Sequence, residues 1–215
     1  MSARCALALA FLVAQSDPPN AILLVAKPGL ADPNFRETVV LVTQSPDAHT
    51  VGVILNRPTK EKHEKTGEPI YSGGPVMRQA IVALFKSDNE PAAPAFHVLK
   101  NIYLSMHPGI VEPLLARPGT QHRLYAGFSG WAPGQLESEM AREGWYVLPA
   151  SEALVFRKDT AGMWNELVEK ARGGRVEMKS PAYAGLWART SGRCRESGTM
   201  ATATARSAQM RYPDR

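Results

Sequence analysis

Apolar and polar positions change period several times along this chain, and each change marks an element. Ala21 to Ala26 (AILLVA) is an unbroken apolar run closed by Lys27-Pro28-Gly29, which predicts a buried strand. Asp32-Pro33-Asn34-Phe35 then opens a turn, with Asp32 as a cap and Pro33 as a first helical residue. Thr38 to Gln44 is rich in β-branched residues and Val51 to Asn56 alternates. The short polar segment Ser45 to His49 between them predicts a hairpin. Glu61 to Glu68 (EKHEKTGE) predicts a charged loop, and further strands are expected at Ile70 to Ser72, Ala80 to Lys86, Phe96 to Leu104 with a break near Lys100, Arg123 to Phe128 and Trp145 to Leu148.

Three stretches carry helical spacing instead. Pro108 to Ala116 places Ile110, Val111, Leu114 and Leu115 on one side, with Pro113 shortening or kinking the helix. A second helix starts at Pro133-Gly134, runs to Arg142 or Glu143 and stops at Gly144. In the third, Asp159 or Thr160 is the cap, Trp164, Leu167, Val168 and Ala171 share a face, and Gly173 ends it. Many strands joined by short turns, with helices late in the chain, predict an α+β fold rather than alternating βα units.

Composition changes the picture mainly at the two ends. Over 215 residues, 44% apolar and 21% charged positions describe an ordinary globular chain and exclude wholesale disorder. The formal charge of +5 and the pI near 9.3 invite a nucleic-acid reading until the charges are located. Residues 189 to 215 hold six arginines against Glu196 and Asp214, Arg4 adds one more, and residues 5 to 188 contain 18 basic and 18 acidic side chains. Apart from Tyr212 and two methionines, the stretch 188–215 has almost nothing to bury against the cost of ordering and reads as a basic, disordered tail. Arg4, the run Cys5 to Ala14 and the small-residue site Ala14-Gln15-Ser16 read as a signal peptide over 1–16, which leaves 17–187 as the domain. The leader is too short to span a membrane. Export would place the protein in the periplasm or outside the cell; the alternative is a cytoplasmic chain that begins with a buried segment.

Candidate chemistry is sparse. Gly127-Phe128-Ser129-Gly130-Trp131 approaches a nucleophile elbow but carries Trp131 where glycine is needed, so a hydrolase using Ser129 with His107 or His122 is a third-ranked reading. The five histidines include no pair at metal-ligand spacing, so no metal is expected, and no phosphate-loop or dinucleotide fingerprint occurs, so no cofactor is expected. Two isolated cysteines, Cys5 and Cys194, make neither a disulfide framework nor a zinc site. What is left is three loop segments at strand ends or helix starts: Asn56-Arg57-Pro58, Ser72-Gly73-Gly74-Pro75 and Gly130 to Gln135. Free backbone N–H groups in such places hold anions or peptide carbonyls. Asn56 and Arg57 add side-chain donors and Trp131 a flat apolar surface, which makes Asn56, Arg57, Gly73, Gly74, Gly130, Trp131 and Gln135 a candidate binding cleft. The structural alternative is that glycine and proline only shape turns there, Trp131 fills core and Arg57 pairs with a carboxylate.

The same segments carry a resemblance. Leu24 to Arg36 followed by Thr38-Val-Val, then Gly52 to Pro58, Gly73-Gly-Pro-Val76 and Gly130 to Glu137 resemble the YqgE/AlgH family of bacterial proteins, from about Ala21 into the 170s or 180s. The resemblance implies a single α+β domain with a branched, partly barrel-like mixed β-sheet flanked by helices. It implies no established catalytic activity. Some family members are labelled transcriptional regulators, although they lack a recognisable DNA-reading element. This chain departs from the pattern in its leader, its basic tail, Phe85 where a histidine is common, and Leu104 to Gly109 in place of a Ser/Thr/Asp-rich segment. The expected function is therefore a non-enzymatic regulatory or binding domain for an unknown ligand or protein partner, with nucleic acid an unlikely partner of the folded domain; the alternative is a cytoplasmic transcriptional regulator.

Overall fold

A computed structural model describes residues 21–44, 49–116, 120–142 and 144–173. The leader 1–16, most of the hairpin loop after Gln44 and the tail 188–215 lie outside them. Among the described residues there are ten strands: β1 Ala21–Ala26, β2 Val39–Gln44, β3 Thr50–Ile54, β4 Pro58–Lys62, β5 Pro69–Ser72, β6 Val76–Lys86, β7 Phe96–Leu99, β8 Ile102–Ser105, β9 His122–Trp131 and β10 Trp145–Pro149. The helices are α1 Pro108–Ala116, α2 Gln135–Ala141, α3 Glu152–Val155 and α4 Met163–Gly173.

The strands run in the order β10-β1-β2-β3-β9-β6-β8-β7, with β5 and β4 as a side branch. Pairing is antiparallel except between β5 and β9, which are parallel. The branch point lies within β9. Leu124 to Ala126 pair with β5, Ser129 to Trp131 pair with β3, and β6 lies along the other edge. Gly127 sits between the two neighbours with φ 71°, a left-handed conformation that glycine adopts at little cost. A Cβ on Gly73 would lie 2.1 Å from the Gly127 carbonyl oxygen, so the two backbones cross closer than any side chain allows.

The sheet curls until its far end meets β2, where Thr43 Oγ1 donates to the His97 carbonyl at 2.9 Å. The inside of this half-barrel holds Leu23, Val25, Leu41, Val53, Leu84 and Ile102, closed by Val155 of α3 and Met163, Leu167 and Val168 of α4. The opposite face of β1 and β2 presents Ile22, Leu24, Val40 and Val42 to Trp131, Trp145 and Leu136 of α2. Burial on both faces is why AILLVA is unbroken in apolar residues although its neighbours are antiparallel. A third cluster packs Ile110 and Val111 of α1 on Ala83, Phe85 and Leu124.

Most expected elements are present, and the differences have physical reasons. β4 takes in Glu61 and Lys62 at the start of the expected charged loop, residues 63–68 remaining turn and loop, and its exposed Lys60, Glu61 and Lys62 discourage further pairing at this edge. β6 begins earlier than expected because its register shifts between Val76 and Ile81. β9 runs on to Trp131 through glycines that read as a loop in the sequence. The segment after Pro33 is a turn rather than a helix, held by Asp32 Oδ1 accepting from the Asn34 amide at 2.8 Å.

Candidate functional site

The loop 32–37 organises most of the expected site. Asn56 follows β3 and clamps this loop to β2: its Oδ1 accepts from the Val39 amide at 2.8 Å and its Nδ2 donates to the Glu37 carbonyl at 2.9 Å. Arg57 donates through Nη1 to the Asn34 carbonyl at 2.5 Å and through Nη2 to the Arg36 carbonyl at 3.1 Å. On the other side Phe35 stacks on Trp131 with centroids 6.1 Å apart and meets Trp145 edge-on at 5.6 Å. Trp131 is only 6% exposed, so it offers no open flat surface. Its Nε1 donates to Glu139, which also receives Gln135 Nε2, while Gln135 Oε1 accepts from the Ala132 amide.

Arg57, Asn56, Trp131 and Gln135 are thus brought around one loop or the adjoining start of α2, with hydrogen bonds directed at their own chain. Arg57 is held by backbone carbonyls and not, as one alternative had it, by a paired carboxylate. Its guanidinium lies below its ordinary range because of partial burial and the nearby Arg78, with Asp32 pulling the other way. Gly73 and Gly74 belong to the branch crossing, where an added Cβ on Gly74 would come within 2.4 Å of the Phe128 backbone. Gly130 is an exposed strand residue facing the Phe128 ring.

Ser129 is fully buried in β9, and its Oγ donates to the Gly73 carbonyl at 3.2 Å. A nucleophile needs an exposed turn, and here the strand continues without one. The histidines proposed for it are engaged elsewhere: His122 Nε2 lies 2.7 Å from Glu68 Oε2, and His107 Nδ1 accepts from the Gly109 amide at 3.1 Å. The serine-hydrolase reading is corrected on these grounds. Among the described residues no three His, Cys, Asp or Glu side chains gather as a metal set, and no helix is long and apolar enough to cross a membrane.

A cavity of about 540 Å³ opens beside Asn56, between β5 and the first turn of α4. Tyr71, Trp164, Lys158, Asp159, Asn165 and Glu37 are among the residues that line it. Behind Tyr71, the Arg123 guanidinium lies 4.7 Å from the ring centroid and donates to the carbonyls of Val155 and Arg157. Arg123 thereby ties the segment that leads into Lys158 to β9. Sequence reasoning missed this site apart from Asn56. Asp159-Thr160-Ala161-Gly162 read only as a helix cap, and nothing local to Tyr71 marks it; the wall is assembled from positions more than eighty residues apart.

A family model described as AlgH-like matches residues 23–175. The chain belongs to the AlgH-like family. It is 36% identical over 170 residues to a UPF0301 protein of Thermobifida fusca, covering 70% of this chain and 86% of that relative. A UPF0301 protein of Streptomyces coelicolor is 32% identical over 165 residues, with 70% and 86% covered. In fold, this AlgH-like chain is similar to the solution structure of the AlgH protein from Pseudomonas aeruginosa, with TM-score 0.58 and 24% identity over 72% of this chain and 88% of that one. It is also similar to a crystal structure of a Corynebacterium diphtheriae protein, with TM-score 0.58 and 22% identity over 78% and 91%. The single α+β domain with its curled, branched sheet is the architecture expected from the resemblance.

Proposed function

We propose that this AlgH-like chain is a non-enzymatic binding domain that takes a small polar ligand, or the end of a partner chain, in the cavity between Tyr71 and the start of α4. The observation that carries this reading is the cavity itself. Its volume of about 540 Å³ falls within the range of small-molecule sites. Its lining combines the Tyr71 and Trp164 rings with Lys158, Asp159 and Asn165, so apolar surface and polar groups of both signs share one site. Ligands with both charges and an apolar body match that lining better than a bare anion, because Glu37 and Asp159 oppose net negative charge. Of the seven residues expected from sequence, Asn56 lines the cavity and the other six do not.

A thermal-shift screen against amino acids, short peptides, nucleotides, phosphate and cell-wall fragments tests it. The expected result is a zwitterionic compound that raises the melting temperature of the native protein and not of a Lys158→Ala, Asn165→Ala double variant. If no compound in the screen shifts the protein, and filling the cavity by Ala161→Trp leaves a deletion phenotype fully complemented, the reading fails. The proposal extends to export: the expected N-terminus of the native protein lies near Ser16, in the periplasmic or extracellular fraction. An intact Met1 in the cytoplasmic fraction would favour the regulator alternative instead.

A further inference from the structure

A second feature involves the loop 32–37, where Asn34 gathers two cations. Its carbonyl accepts from Arg57, and its Oδ1 accepts from Arg78 Nη2 at 3.4 Å. Among the described residues neither guanidinium makes an ion pair. The neighbouring acid, Asp32, spends Oδ1 on the Asn34 amide. Each guanidinium carries five N–H donors in a planar fork, so both keep donors beyond those bound to the loop. Two like charges held by one residue repel, and the effect of Arg78 on Arg57 has that sign. Arg36, exposed on the same loop, adds a third basic residue.

Met77 precedes Arg78 in β6. It is 53% exposed, the large hydrophobic side chain left open among the described residues, and it holds φ 47° within the register shift of β6. A single exposed apolar residue is ordinary, and so is a surface arginine. An unbranched, adaptable apolar side chain at a strained backbone position, next in sequence to an arginine that makes no ion pair among the described residues, is a less ordinary combination.

We infer that Arg57, Arg78 and Met77 form a docking surface for an acidic segment of a protein partner, whose carboxylates bridge the two guanidiniums while a neighbouring apolar side chain covers Met77. Bidentate carboxylate recognition suits the paired forks. Nucleic acid fits less well. It calls for cations spaced along a backbone track and aromatic platforms for bases, whereas this surface has a compact pair and a thioether.

The test uses the full chain and a fluorescent peptide of repeated Asp-Glu-Leu, with Asp-Glu-Ser and Lys-Lys-Leu peptides and a single-stranded oligonucleotide as comparisons. The Asp-Glu-Leu peptide should bind in a salt-dependent way and at least about threefold tighter than Asp-Glu-Ser, with Lys-Lys-Leu not binding. Arg78→Glu should weaken it about tenfold or more, and charge-matched Arg172→Glu should leave it unchanged. Met77→Asn keeps a residue suited to the left-handed backbone while removing the apolar contact, and should weaken binding about threefold without lowering the melting temperature. Because Arg57→Ala also releases the 32–37 loop, Arg78 and Met77 carry the test. Equal binding by Arg78→Glu, equal binding of Asp-Glu-Ser, or no binding of the peptide at low salt would each overturn the inference. So would an oligonucleotide that binds as tightly and is indifferent to Met77→Asn, which would assign the surface to phosphate.

Discussion

Tyr125 is fully buried and its hydroxyl has no hydrogen-bond partner among the described residues. Burial pushes its phenol well above the ordinary tyrosine range, against the pull of Arg123. An unfolded tyrosine ionises from about pH 10 while the folded one stays neutral, so the unfolded state binds fewer protons and stability falls as pH rises above about 10. Tyr125→Phe is expected to flatten that alkaline decline and to raise stability at neutral pH by about 1 kcal/mol, both measurable by urea melts at pH 7 and pH 10.5. Asn56 behaves oppositely. Replacing it by alanine strands the Val39 amide and the Glu37 carbonyl, and a loss of about 2 kcal/mol is expected in the same melts. Asn56 was recognisable from sequence as a polar residue at a strand end, but not its use. A donor and acceptor pair reads the same whether it faces a ligand or its own backbone.

Among the elements, β9 shows how glycine positions divide. Gly73→Ala places a Cβ against the Gly127 backbone, which has no flexible end to give way, so a loss of about 3 kcal/mol or more, or no folded protein at all, is expected. Gly130→Ala meets only the Phe128 ring at 3.4 Å and should change stability by no more than about 1 kcal/mol. Circular dichroism melts of the two variants separate them. Both glycines sit in segments that read alike as turns, because composition reports backbone freedom without saying whether another strand passes alongside. Strands such as β1 and β2, by contrast, were legible because burial on both faces writes an apolar run into the sequence itself.

For the molecule as a whole, closure depends on contacts between ends of the sheet that are distant in sequence. Thr43 donates to His97 across the seam, and Thr43→Val should cost about 1 kcal/mol and speed amide exchange in β7 relative to β3. Arg123 makes the corresponding tie on the cavity side, fastening Val155 and Arg157 to β9. Because that tie sets where Lys158 stands, the proposed ligand site and the half-barrel are parts of one construction.

By itself the sequence determined which stretches are buried strands, where the α4 helix ends, and that the excess positive charge belongs to the terminal segments and not to residues 5–188; α4 begins at Met163, after a turn, and not directly behind the expected cap at Asp159 or Thr160. Those properties follow from local periodicity and composition. It also carried the family motifs, because they are contiguous. Only the tertiary structure decided that β9 pairs with three neighbours, that Ser129 is buried with its hydroxyl on the Gly73 carbonyl, and that Tyr71 and Lys158 line one cavity. Each of these depends on which distant backbones approach one another, and a curled sheet sets those approaches through register and crossing geometry that no single segment encodes.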